Sequence, residues 1–157
     1  MSTPQRGWLT EDQQKIWRSS LLAKTRMSEY LDHVLRQYGL SLDEYELLVR
    51  LSEAPDTTLR MGELAESVRH SRSRLTHTIA RMEKRNLVRR EPTVSDGRGV
   101  QAILTDEGLR VLREAAPHHV DSVREVLIDA VSPEDLEALG RCMEAILKVA
   151  DEATGKR

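Results

Sequence analysis

Two short apolar stripes of helical spacing, separated by a few residues, constrain this chain more than any other feature of its sequence. Met61, Leu64, Ala65 and Val68 place one apolar face on a short helix, and Leu75, Ile79 and Met82 recur at spacings of four and three on the next. Between them Arg69-His70 leaves room for only a tight turn, and Ser71 is placed to cap the second helix, which runs from about Arg72 to Lys84 or Arg85. Two short helices joined this closely form a helix-turn-helix. The period then changes. Asn86 interrupts, Leu87-Val88 opens a strand toward Glu91-Pro92, and Ser95-Asp96-Gly97-Arg98-Gly99 supplies turn formers. Val100, Ala102 and Leu104 then alternate with Gln101 and Ile103 on a returning strand. A hairpin directly after a helix-turn-helix is a wing, so the expected fold class is mainly α with a small β-hairpin wing (α+β), a winged helix-turn-helix.

Helices flank this unit on both sides. From about Thr10 to Tyr38, Ile16, Leu21, Leu31, Val34, Leu35 and Tyr38 recur at helical spacings, with Gly39 at the exit. Ser41 and Glu44 form a capping box for a helix over about 42–53, which carries Tyr45, Leu48 and Leu51 and closes before Pro55. Thr105 caps a fifth helix, with Asp106 and Glu107 favouring the positive end of its dipole. Leu109, Leu112, Ala116, Val120, Val123 and Leu127 form its apolar face, and Pro117 is expected to kink it. Ser132-Pro133-Glu134-Asp135 opens the last helix with a serine cap and proline at the first position. Its Leu136, Leu139, Met143, Ile146 and Ala150 alternate spacings of three and four, a seam suited to a helix of a second copy.

Composition excludes several classes. A chain of 157 residues suits one core, and no apolar run approaches the roughly 18 residues of a membrane span. The opening MSTPQRGWLTEDQQK lacks the apolar centre of a signal peptide, so a cytoplasmic protein without membrane association is expected. The single cysteine, Cys142, excludes an internal disulfide and a multi-cysteine zinc site, and its place in the last helix predicts a buried, inert thiol. His118 and His119 diverge by about 100° on a helix and do not readily share an ion, so both are expected at the surface and no metal is expected. Neither a nucleophile-base set nor a phosphate-cradling glycine loop is present, so neither enzymatic activity nor a cofactor is expected.

The net charge of −2 conceals strong segregation. From Arg69 to Arg90 there are eight basic residues against the lone acid Glu83, net +7, which leaves −9 on the rest of the chain. With Leu75, Ile79 and Met82 turned inward, the opposite face of the fourth helix presents Ser73, His77, Ala80 and Lys84, flanked by Arg74, Thr76 and Arg81. Hydroxyls, guanidinium groups and an imidazole are what base edges and phosphates in a major groove use. Ser73, Arg74, Thr76 and His77 are therefore expected near the bases of double-stranded DNA, and Arg72, Arg81 and Lys84 near its backbone.

The run from Met61 to Thr105 resembles the multiple antibiotic resistance regulator (MarR) family. MGELAESVRHSRSRLTHTIARMEKRNLVRR is similar to that family's third and fourth helices leading into the first wing strand, and SDGRGVQAILTDEG to its wing signature. His70 departs from it, standing where the family commonly has an apolar residue. The resemblance implies a single MarR-like domain over 1–157, with dimerisation helices at 8–38 and 105–153 and a DNA-binding lobe at 41–104. It makes Arg98 the wing arginine that enters the minor groove and Asp96 the acid that orients the wing. It also implies a homodimer, a ligand-responsive repressor on an inverted-repeat operator, and a small aromatic or phenolic effector. His33, Arg36 and Tyr38 can line an effector crevice, although such residues more often serve ordinary packing. Two alternatives stay open: a winged-helix module for protein contacts, and a regulator that senses oxidants through Cys142.

Overall fold

Thr10 opens the first helix by accepting the Gln13 N–H at 3.2 Å, while the Gln13 side chain accepts the Thr10 N–H at 2.9 Å. In this computed structural model, which describes residues 7–68, 71–93 and 99–155, that helix, α1, spans Glu11–Arg36. Its end is closed by the Leu40 N–H on the Leu35 carbonyl at 3.1 Å and the Gly39 N–H on the Arg36 carbonyl at 3.0 Å. This requires φ +69° at residue 39, a conformation that glycine adopts without a Cβ clash. The Ser41–Glu44 capping box then starts α2, Leu42–Glu53. Next come β1 (Thr58–Arg60), α3 (Met61–Ser67), α4 (Arg72–Lys84), β2 (Val88–Pro92), β3 (Val100–Leu104), α5 (Asp106–Val123) and α6 (Pro133–Thr154). The serine caps expected for α4 and α6 both form: Ser71 accepts the Arg74 N–H at 3.2 Å and Ser132 the Asp135 N–H at 3.1 Å.

The expected hairpin is part of a three-stranded antiparallel sheet in the order β1-β3-β2. Thr58 and Arg89 both face Ile103, from opposite sides of β3. The three residues of β1 are too few to show an alternating pattern, and they follow a 3-10 turn at Pro55–Thr57 with Asp56 and Thr57 at positive φ. Pairing with β3, and not local propensity, makes this strand.

The chain divides into two compact units, Met1–His119 and Val120–Arg157. In the first, Leu35, Leu47, Leu48, Leu51, Leu64, Leu75, Ile79 and Met82 are buried together with Val88 and Ala102 of the sheet and Ala115 of α5. Tyr38 stacks on His118 with ring centroids 5.0 Å apart, and Tyr45 meets His119 at 4.3 Å. His119 is therefore half-buried, against the expected surface position, and burial pushes its pKa down. The helix α5 continues through Pro117 to Val123, where a π-helical segment, Arg124–Ile128, follows. In the second unit α6 leaves Met143, Ile146, Leu147 and Val149 exposed. Cys142 is exposed as well, so the expected burial of its thiol is not found within the protomer. Among the described residues no helix is long and apolar enough to cross a membrane.

The join between α4, the sheet and α5 is tight. Asn86 takes φ 57° after α4, so that the Leu87 N–H reaches the Met82 carbonyl at 3.0 Å and the Asn86 N–H the Glu83 carbonyl at 2.9 Å. Thr105 caps α5 by accepting the Gly108 N–H at 3.0 Å, and its hydroxyl donates to the Asn86 carbonyl at 2.6 Å. A Cβ at position 108 would lie 2.0 Å from the Leu87 carbonyl oxygen and 2.8 Å from Leu104 Cδ1. Gly108→Ala is therefore expected to lower unfolding free energy by about 1–3 kcal/mol despite alanine's better helix propensity. Urea unfolding of the two proteins checks this, and equal midpoints would contradict it.

Candidate nucleic-acid interface

The helix α4 buries Leu75, Thr78, Ile79 and Met82 and leaves Arg72, Ser73, Arg74, Thr76, His77, Arg81 and Lys84 exposed. The division follows from the 3.6-residue period, with Thr78 completing the stripe between Leu75 and Met82. Ala80, expected on the open face, is half-buried. The structure thus gathers the seven expected polar and basic residues of α4 on one side of one rigid helix. Asp96 and Arg98, expected at the wing tip, lie outside the described residues, as does the Arg69-His70 turn.

The cations on this face differ in their freedom. Among the described residues Arg72 and Lys84 make no ion pair, so both can take a phosphate at no cost in broken contacts. The Thr76 hydroxyl donates to the Arg72 carbonyl at 2.8 Å and keeps its lone pairs open. Arg74 pairs through Nη2 with Asp43 of α2. Glu44, the next residue of α2, has a side chain only 7% exposed; its Oε2 takes Arg85 Nη1 at 3.3 Å and its Oε1 lies 3.9 Å from Arg81 Nε. Glu44 also accepts the Ser41 N–H at 3.0 Å, and Arg85 donates a second hydrogen bond to the Gly39 carbonyl. One carboxylate thereby joins the α1–α2 turn, the start of α2 and the end of α4.

A further pair ties α4 to the sheet: Arg90 of β2 donates to Glu83 through Nη2 at 2.7 Å, Nε at 3.0 Å and its backbone N–H at 3.0 Å. These bonds hold the Glu83 carboxyl below the usual carboxylate range. Their contribution to stability is complete at neutral pH and is lost as acid protonates the group.

Asp43 and Glu44 carry no sequence signal for these partners beyond the capping box, because Asp43 and Arg74 are 31 residues apart and meet only through the packing of α2 on α4. Two clefts open beside α4. One of about 330 Å³ is lined by Met61, Gly62, Arg72, Leu75 and Thr76, and one of about 440 Å³ by Arg36, Gly39, Leu40, Ser41, Glu44 and Arg81. Of the three crevice candidates, Arg36 reaches the second cleft while bonded to Asp32 at 2.7 Å; Tyr38 packs on His118, and His33 is exposed.

Comparison with known proteins agrees with this architecture. The model of the MarR family matches residues 40–100, from the start of α2 to the start of β3. AbsC of Streptomyces coelicolor, a MarR family transcriptional regulator, is 43% identical and superposes with a TM-score of 0.88 over 94% of this chain and 99% of AbsC. The chain belongs to the MarR family. Sco3205 of the same organism, a MarR family regulator whose structure was solved in complex with DNA, is 45% identical, with a TM-score of 0.88 over 93% of this chain and 92% of its own. The regulator PecS of Dickeya dadantii is 31% identical over 99 residues, and the match spans 62% of this chain and 59% of PecS. This MarR-family protein is a transcriptional regulator and not an enzyme.

In this MarR-family protein, Glu44→Ala would remove the ion-pair partner of Arg85 and open the capping box at a buried position. It is expected to cost about 2–3 kcal/mol of stability, whereas Glu83→Ala, at a surface pair, costs within about 1 kcal/mol. Thermal or urea unfolding ranks the two, and an equal loss would refute the difference in burial as its cause.

Proposed function

We propose that the chain acts as a homodimer that binds double-stranded DNA sequence-specifically, as a ligand-responsive repressor on an inverted-repeat operator. The exposed polar and cationic face of α4 carries this reading. Ser73, Arg74, Thr76 and His77 contact base edges in the major groove, and Arg72, Arg81 and Lys84 hold phosphates. The wing residues Arg98 and Asp96 are assigned on the resemblance alone, to the minor groove and to orienting the wing. The DNA complex of Sco3205, from a protein 45% identical over nearly all of this chain, supports the same partner here.

Dimerisation is supported by large apolar side chains that each of the two units leaves exposed. Ile16 is 70% and Trp17 56% exposed on α1, and Ile146 is 63% exposed on α6. In this reading helices at 8–38 and 105–153 dimerise and the lobe at 41–104 binds DNA. A two-fold dimer presents two copies of α4, so half-sites recur about one helical turn apart in inverted orientation. A small aromatic or phenolic acid is the proposed effector, and the 440 Å³ cleft supports it, since among the described residues Arg81 there is held only by its 3.9 Å contact with Glu44. Titrating aromatic acids against the DNA complex tests this, and no release by any of them would remove it.

Selection of genomic fragments by the purified protein yields the operator, and a reporter placed behind it gives the sign of regulation. Arg74→Ala is expected to weaken operator binding roughly tenfold or more and to blur base preference. Arg98→Ala is expected to lower affinity with less change in preference, and wild-type affinity should fall steeply with salt. Unchanged binding in both variants would defeat the assignment.

A further inference from the structure

The pairing of Asp43 with Arg74 bears on how the helix α4 reads sequence. Arg74 stands in the first turn of α4, where its own backbone N–H is fixed by the Ser71 cap at 3.2 Å, and in a helix-turn-helix the first turn of the second helix enters the groove. Asp43 stands in the first turn of α2, whose backbone is fixed by the Ser41–Glu44 capping box. Both members of the pair thus sit on rigid helix ends. The contact uses Nη2 of the guanidinium and leaves the Arg74 side chain 59% exposed, and among the described residues no other hydrogen bond takes its remaining side-chain donors.

Resting on the DNA-binding reading above, we propose that Asp43 is a specificity-determining positioning residue: its carboxylate fixes the Arg74 guanidinium for a base edge. Two physical effects act together. First, an arginine tethered at one nitrogen loses little further rotamer freedom when its other donors meet the paired acceptors of a guanine edge. Second, a carboxylate beside the guanidinium cancels much of its attraction for phosphates, which every duplex offers alike. A tethered Arg74 is therefore worth more on a matched base than on arbitrary DNA. A free Arg74, like Arg72 or Lys84, would strengthen binding to both.

The test compares the operator recovered by genomic selection with a scrambled duplex of the same length, by fluorescence anisotropy at one salt concentration. In Asp43→Ala the ratio of operator to scrambled affinity is expected to fall roughly tenfold. Operator binding weakens, while scrambled binding stays equal or tightens because a negative charge near the phosphates is gone. Asp43→Asn, which keeps the shape and an acceptor oxygen, loses part of the ratio and guards against misfolding of the alanine variant. In an Arg74→Ala background, Asp43→Ala produces no further loss of the ratio. A residue needed only for folding would weaken both duplexes alike. The proposal is overturned if both Asp43 variants keep the wild-type ratio, lose affinity equally for the two duplexes, or bind the operator more tightly, the last result making Asp43 a competitor of DNA for Arg74. Failure of the wild-type protein to discriminate would instead sink the DNA-binding reading itself.

Discussion

The position of α4 depends on the buried carboxylate of Glu44. Helix packing alone leaves a helix free to slide or roll by fractions of a turn, because apolar contacts carry little direction. Glu44 removes that freedom. It accepts the Ser41 N–H of its own capping box and takes Arg85 from the end of α4. Arg85 in turn reaches the Gly39 carbonyl, at the one positive-φ glycine of the α1–α2 turn. A neutral side chain there would remove the carboxylate that Arg85 and the Ser41 N–H share, and with it the link between the start of α2 and the end of α4.

The join between α4, the sheet and α5 is held mainly by backbone geometry. Asn86 turns the chain out of α4 with φ 57°, Thr105 binds the carbonyl of that residue, and Gly108 lets α5 approach the Leu87 carbonyl more closely than any side chain allows. The root of the hairpin is thereby clamped between two helix ends. Arg90 and Glu83 add a tether from the sheet to α4. The strands β2 and β3 are thereby tied directly to the end of α4.

What could be read from the chain divides along a physical line. Helix limits set by local chemistry were legible: Ser41, Ser71, Thr105 and Ser132 all cap the helices they precede. The buried stripe of α4 followed from its period. Features that arise from distant pairing were not legible. The strand β1 exists because β3 offers it a ladder, and Asp43 meets Arg74 because α2 packs on α4. His119 looks like a surface residue by its neighbours in sequence and is half-buried because Tyr45 lies over it. Surface and core were also confounded at the seam of α6, where apolar spacing is plain but a single protomer leaves Met143 and Ile146 in solvent.

Charge along this chain is arranged to oppose itself. Net +7 between Arg69 and Arg90 would bind any polyanion if every cation were free, and selective binding requires that the gain on the right sequence exceed the gain common to all duplexes. Acids placed next to particular cations reduce the common part. Asp43 does so at Arg74, Glu44 at Arg81 and Arg85, and Glu83 at Arg90, while Arg72 and Lys84 stay unpaired among the described residues. With Arg89, which Glu91 holds at 2.7 Å, five of the basic residues are thus partly neutralised by carboxylates, which belong to α2, α4 and β2. The same ion pairs that locate α4 therefore also temper its field, so in the proposed mode of binding stability and discrimination draw on one set of contacts.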